Sequence, residues 1–106
     1  MTEVVFYFDG EILSGFHIKG HATASAEDEQ GRLVCAAVSS AAILTANTVT
    51  EIIGAKADVR QDEGELALRV TGDLEESMPV LAGFMLHMEQ LSGQYQDYIR
   101  IHTEVS

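Results

Sequence analysis

Residues 33–54 read LVCAAVSSAAILTANTVTEIIG, and no glycine or proline interrupts them before Gly54. Leu33, Ala37, Ala41, Leu44 and Thr48 fall on one stripe at helical spacing, and Val34, Val38, Ala42 and Ala46 fall on a neighbouring one. The spacing predicts a helix from Leu33 to about Ile53, apolar over most of its circumference and therefore buried on several sides. Its many alanines and serines let strands or a second helix come close. Gly54 is suited to the left-handed stop that ends a helix.

Outward from this helix the chain reads as strands and one further helix. EVVFYF at 3–8 is β-branched and aromatic, and Asp9-Gly10 after it is a hairpin signal. In the returning strand, Ile12, Ser14, Phe16 and Ile18 share the face expected to point inward, and Leu13, Gly15, His17 and Lys19 share the other. Residues 22–32, ATASAEDEQGR, lack apolar periodicity and read as a loop. ADVRQDEGELALRVTG reads as a second hairpin turning at Asp62-Glu63-Gly64. A second helix is expected from about Ser77 to Gln94, with Ser77 as N-cap, Pro79 in the first turn and Glu75 and Glu76 at the positive end. Its buried stripe is Leu81, Phe84, Met85, Met88, Leu91 and Tyr95. YIRIHTEV closes the chain as a last strand. The order ββαββαβ predicts an α+β fold, one domain over residues 1–106, with two helices packed on a mostly antiparallel sheet.

The totals agree with this. The chain has 106 residues, enough for one core, and 46% of them are hydrophobic. The single cysteine forbids an internal disulfide, which fits a reducing compartment. MTEVVFYFDGEIL does not resemble a signal peptide, and polar residues interrupt the longest apolar run, so a soluble cytoplasmic protein without membrane partners is expected. There are 17 acidic and 6 basic residues, a net charge of -11. That balance argues against direct nucleic-acid binding, which needs clustered cations, and favours basic partners.

Two residues could carry chemistry. Cys35 lies near the expected start of the long helix, where unpaired N–H groups favour an anion, and a thiolate is a nucleophile. Such an N–H, including that of Cys35, could also hold an oxyanion. A lone cysteine equally packs as a small hydrophobe. His21 ends a strand just after Gly20, and only one loop separates it from the cysteine helix, so it is the natural base for a Cys–His pair. It could also be a solvated loop histidine. Ser39 is one helical turn after Cys35 and on the same face, free to bond thiolate, histidine or substrate, or to bond back to its own helix. His17 shares the parity of His21. A zinc site of His17, His21 and Cys35 has no recognised ligand spacing, so neither a metal nor another cofactor is expected. His87 is expected in solvent.

GHA at 20–22 and LVCAAVS at 33–39, with Leu91 and Tyr95 before YIRI, resemble the ribosomal-processing cysteine proteases of the Prp family over most of the chain. The resemblance implies a dimeric endopeptidase that removes the N-terminal extension of the precursor of bacterial large-subunit ribosomal protein twenty-seven. It implies Cys35 as nucleophile, His21 as base, Gly20 as the turn beside that base and Ser39 as a supporting polar group. The loop containing Ala22, Ser25, Asp28, Gly31 and Arg32 would close over the peptide. Arg32 stands where the family has an aspartate, the loop is about two residues longer, and Gly31 is displaced by one. The aspartate's orienting or capping role is then open unless Asp28 or Glu29 fills it. The rival reading is a non-catalytic ribosome-associated binding module on the same fold, whose buried cysteine would resist alkylation. A second rival is a Cys–His hydrolase or thiol transferase acting on a small substrate.

Overall fold

The computed structural model describes residues 1–20 and 28–106. Five strands, β1 (Thr2–Asp9), β2 (Ile12–Lys19), β3 (Ala57–Asp62), β4 (Glu65–Val70) and β5 (Ile99–Val105), form one sheet in the order β3-β4-β2-β1-β5. Every neighbouring pair is antiparallel except β1 and β5. Helix α1 (Glu29–Asn47) continues into a π-helical turn over Thr48–Ile53, and α2 spans Leu74–Gln94. The element order is the expected ββαββαβ. The pairings make β2 parallel to β3, and β4 parallel to β5, so each helix is the crossover of a βαβ unit, as a parallel connection requires.

One sheet face carries the core. Val4, Phe6, Phe16, Ile18, Leu68, Val70 and Ile99 are buried there against Val34, Val38, Ala42, Leu81, Phe84 and Met88 of the helices. Phe84 meets Phe16 at 4.6 Å and Phe6 at 5.7 Å between ring centroids, both tilted, as aromatic quadrupoles prefer. The expected α2 stripe is correct: Leu81, Phe84 and Met88 are buried, and Met85, Leu91 and Tyr95 pack at the margin.

The inward face assigned to β2 holds only in part. The register jumps between Tyr7 opposite Gly15 and Phe8 opposite Leu13, leaving Ser14 as an extra residue. This bulge reverses the alternation. Leu13 turns into the core, Ile12 is left exposed, and Ser14 donates from Oγ to the Tyr7 carbonyl at 3.1 Å. The turn residues are also Gly10-Glu11, one later than Asp9-Gly10.

Three expectations about the helices are corrected. First, α1 starts at Glu29 and not Leu33, because Asp28 caps it: its Oδ1 accepts from the Gly31 N–H at 3.0 Å. Second, α1 is buried along Gly31, Val34, Val38, Ala42, Thr45 and Ala46 only. Leu33, Leu44 and Ile52 are 70%, 67% and 79% exposed, so the helix is not enclosed on several sides. The helical stretch Glu29–Ile53 contains an 18-residue window of mean hydropathy 1.6, and so is long and apolar enough by length and composition to cross a membrane. Here its Val34–Val38–Ala42 side packs on the sheet. Third, α2 starts at Leu74, with Asp73 at its cap, and Ser77 lies inside it. Ser77 bonds back to the Asp73 carbonyl through both its N–H and its Oγ. Pro79 therefore sits in the second turn.

Of the glycines described, Gly15 of β2 lies closest to a neighbour, the backbone of β4. A Cβ on Gly15 would lie 2.1 Å from the Leu68 carbonyl oxygen, in the backbone of the neighbouring strand. Gly15→Ala is expected to destabilise the protein by at least about 2 kcal/mol through overpacking at a site that cannot yield. Urea unfolding checks this as a drop in midpoint at unchanged slope.

Candidate active site

The end of the sheet where β2 stops gathers the candidate residues. Lys19 pairs with Glu3 of β1 and with Glu65 of β4, so the start of β1 and the β3–β4 turn both lie beside Gly20. Gly20 has φ +80°, and a Cβ there would be 2.8 Å from the Met1 carbonyl, so the chain can turn here only without a side chain. His21 is the next residue. It lies outside the described residues, as do Ala22 and Ser25.

A cleft of about 200 Å³ opens at this end, lined by Gly20, Cys35 and Ser39. Its other walls come from Thr2, Ile18, Val38 and Ala42 and from the hairpin tip, Gln61 to Leu66. Cys35 is half-buried. The structure thus brings three of the sequence candidates to one concave site. The hairpin tip and Thr2 carry no local motif. Only the long-range pairing of Lys19 with Glu65 brings the tip to the cysteine, and no sequence spacing reports that pairing.

The start at Glu29 changes the electrostatic account of the thiol. Cys35 is the seventh helical residue, in the second turn, where its N–H belongs to the helical ladder. It cannot then serve an oxyanion, and the field of the helix end has faded by that depth. The helix start by itself therefore does not activate this thiol.

The helix start has its own role. Asp28 Oδ1 accepts from the Gly31 N–H and also from the Tyr98 hydroxyl at 3.1 Å, tying α1 to the chain just before β5. Arg32 is exposed, and its N–H bonds the Asp28 carbonyl at 3.1 Å. Capping is therefore supplied by Asp28, four residues before Arg32. The hydrogen bond to Asp28, then burial, then the charges of Asp28 and Asp97 raise the Tyr98 phenol above its ordinary value.

His17 goes elsewhere. It sits on the sheet face away from the helices, with Nε2 2.6 Å from Glu65 Oε1 and Nδ1 3.5 Å from the Tyr7 hydroxyl, whose ring lies under Arg69 at 4.1 Å. The sheet separates His17 from the thiol, so the two do not form the zinc site weighed from sequence. His87 is exposed, as expected.

A family model described as cysteine protease Prp matches residues 1–100. The chain belongs to the Prp cysteine protease family. It is a cysteine protease, which decides against the non-catalytic module. The Prp fold is also seen in solved structures. The essential ribosomal processing protease Prp from S. aureus, in complex with a covalently linked product peptide, superposes with a TM-score of 0.86 at 18% identity, over 98% of this chain and 100% of that one. The same protease has been solved with a substrate peptide, with the same score, identity and coverage. SMU.848 from Streptococcus mutans gives 0.84 at 18% identity, over 100% of this chain and 96% of its own. No curated protein sequence matches the chain.

Asp28→Ala is expected to cost about 1 kcal/mol by loss of the cap. It should also bring the Tyr98 titration down toward the ordinary value near pH 10, read by ultraviolet difference titration. The raised phenol stabilises the fold fully below the unfolded value of about 10, and that contribution is lost as pH rises through the folded value. In Asp28→Ala this alkaline dependence flattens.

Proposed function

We propose that the chain is the endopeptidase that removes the N-terminal extension from the precursor of large-subunit ribosomal protein twenty-seven, with Cys35 as nucleophile and His21 as base. The observation that carries this is the cleft: Cys35, Ser39 and Gly20 line one concavity, and His21 is the residue bonded to Gly20. The protease Prp from S. aureus, a processing enzyme for the ribosome, supports the substrate class through its similar fold.

His21 takes the thiol proton, and Cys35 Sγ attacks the scissile carbonyl carbon. The carbonyl π electrons move to oxygen, giving a tetrahedral oxyanion. As that collapses, the carbon–nitrogen bond breaks and the imidazolium gives its proton to the leaving amine. Water, deprotonated by the same imidazole, then attacks the thioester. The second fragment leaves as a carboxylic acid and the thiol is restored. Ser39 offers a hydroxyl one turn from the sulfur. Ala22 and Ser25 belong to the segment that follows the base, and in this reading they and the exposed Arg32 border the bound peptide, whereas Asp28 and Gly31, expected in the same loop, form the cap and the buried first turn of α1. The net charge of -11 draws in a basic ribosomal precursor, raising the rate of encounter more than the affinity.

The working form is a cytoplasmic homodimer with no cofactor and no direct contact to nucleic acid. Leu33, Ile43, Leu44 and Ile52 leave α1 and the turn after it with exposed apolar side chains, which suits contact with a second copy. Leu44→Asp with Ile52→Asp is expected to give a folded monomer by light scattering after size exclusion. An unchanged dimer would move the interface elsewhere.

The organism's own precursor, incubated with wild type, is expected to yield a shortened protein by intact mass spectrometry, and none with Cys35→Ala. Cleavage by that variant ends the thiol mechanism. His21→Ala is expected to slow alkylation of Cys35 at pH 7 by about tenfold or more, since a positioned base contributes on the order of 10²-fold or more. Unchanged alkylation would show that His21 is not the base.

A further inference from the structure

β3 is an edge of the sheet, paired to β4 on one side and open on the other. Asp62 and Glu65 flank a two-residue turn, and residues so placed exchange both backbone hydrogen bonds. From there the bonding alternates, so Asp62, Arg60 and Asp58 turn their N–H and C=O groups to β4. Two further contacts fix the same alternation. The Lys56 carbonyl accepts from the Thr71 N–H at 2.7 Å at the far end of the hairpin. The Leu68 carbonyl points to Gly15 of β2, and so away from Val59, its neighbour on β3. Ala57, Val59 and Gln61 therefore turn their N–H and C=O groups to the open side. Among the described residues, no hydrogen bond from outside the hairpin reaches those groups. The other edge strand differs: Ser92 Oγ donates to the Ile99 carbonyl at 3.4 Å, so α2 covers part of the open side of β5.

Lys56, Asp58, Arg60 and Asp62 stand in a row on the face away from the helices, exposed and in no ion pair among the described residues. Arg69, the β4 neighbour of Asp58, lies over the Tyr7 ring instead. The signs of the row alternate. Charges on an edge repel most further strands. This row fits one strand well: a second β3 running the other way about a two-fold axis at Val59. In that register Lys56 lies opposite Asp62, and Asp58 opposite Arg60, on both sides of the axis. These are the non-hydrogen-bonded pairs, where side chains come closest, about 4.5 Å between Cα atoms. Val59 meets its own copy and Ala57 meets Gln61, each pair exchanging the open N–H and C=O groups. The exposed Val59 side chain is then covered. A register centred on Arg60 sets Arg60 against Arg60 and Asp58 against Asp62. One centred on Asp58 sets Asp58 against Asp58 and Lys56 against Arg60. Like charges directly opposite are destabilising, so the order of signs selects the register centred on Val59.

We propose that the open side of β3 is a self-recognition edge, which pairs antiparallel with β3 of a second copy about Val59 and joins the two sheets into one. Gln61 and Asp62 line the Cys35 cleft. The pairing therefore brings Lys56 of the second copy beside each cleft, opposite Asp62. This surface is separate from the exposed apolar side of α1 offered above for contact with a second copy, and either contact can form without the other.

Sedimentation equilibrium of the full chain, up to its highest soluble concentration, tests the pairing. Asp58→Arg and Arg60→Asp each turn opposite-charge pairs into like pairs, and each is expected to weaken self-association about tenfold or more. Both side chains are exposed and unpaired, so both variants should melt as wild type does. Mixed in equal amounts, the two variants complement each other, one carrying cations at positions 58 and 60 and the other carboxylates. Association should then return as a mixed complex of one copy of each, identified by native mass spectrometry. Variants that associate as tightly as wild type overturn the inference and leave the α1 contact standing. Weakened variants whose mixture does not recover overturn the register, and the inference with it. A wild type that stays monomeric at every concentration overturns it as well. Cleavage of the precursor is read on the same samples, so a failure of the proteolytic reading shows separately.

Discussion

The structure depends on the contact between Gly15 and the Leu68 carbonyl. It sets how closely β4 lies against the central strand, and only a residue without a side chain permits it. The register that follows places Lys19 opposite Glu65. The β3–β4 turn then stands beside the end of β2. Without that turn the Cys35 cleft would lack its third wall. A packing constraint in the middle of the sheet thus shapes the Cys35 cleft at its edge.

The site has walls of different origin. One is helical: Cys35 and Ser39, a turn apart, are held by a helix whose start is pinned by Asp28. The Asp28–Tyr98 hydrogen bond joins that start to the approach to β5, so the helix of Cys35 and the parallel edge strand are fixed to each other. Another wall is the strand end at Gly20, where the backbone passes the Met1 carbonyl too closely for any side chain. Placing a thiol in the second helical turn removes help from the helix terminus.

Much of this was legible in the chain. Alternation and turn residues gave the strands, and apolar spacing gave the helices and the Leu81–Phe84–Met88 stripe, because those signals are local. Gly20 of GHA, with Cys35 and Ser39 of LVCAAVS, marked residues that line the cleft. What failed was of three physical kinds. The Ser14 bulge adds one residue, which no count of alternation detects, and it exchanged Ile12 for Leu13 in the core. The start of α1 lies in polar residues, where apolar periodicity is silent; Asp28 followed by Glu29 was the cap signal that periodicity alone passed over. Ser77 looked like a cap but bonds backward to Asp73, a choice set by the residues that precede it. Thr2 and the hairpin tip could not be found at all, since their place beside the thiol exists only after the sheet has formed.

The parallel pairing of β1 with β5 has a practical consequence. Thr2 lies opposite Ile99 and Phe8 opposite Val105, and the Ser106 N–H bonds the Phe8 carbonyl at 2.9 Å. The two ends of this chain therefore lie at opposite ends of adjacent strands, about 20 Å apart at the usual rise per residue. Met1 sits against Gly20 at the mouth of the cleft. A purification handle, a surface linker or a fluorophore joined at Met1 would crowd the mouth of the Cys35 cleft. The same group joined at Ser106 would leave that entrance open, which makes the C-terminal end the place to immobilise this protein for any assay of peptide entry.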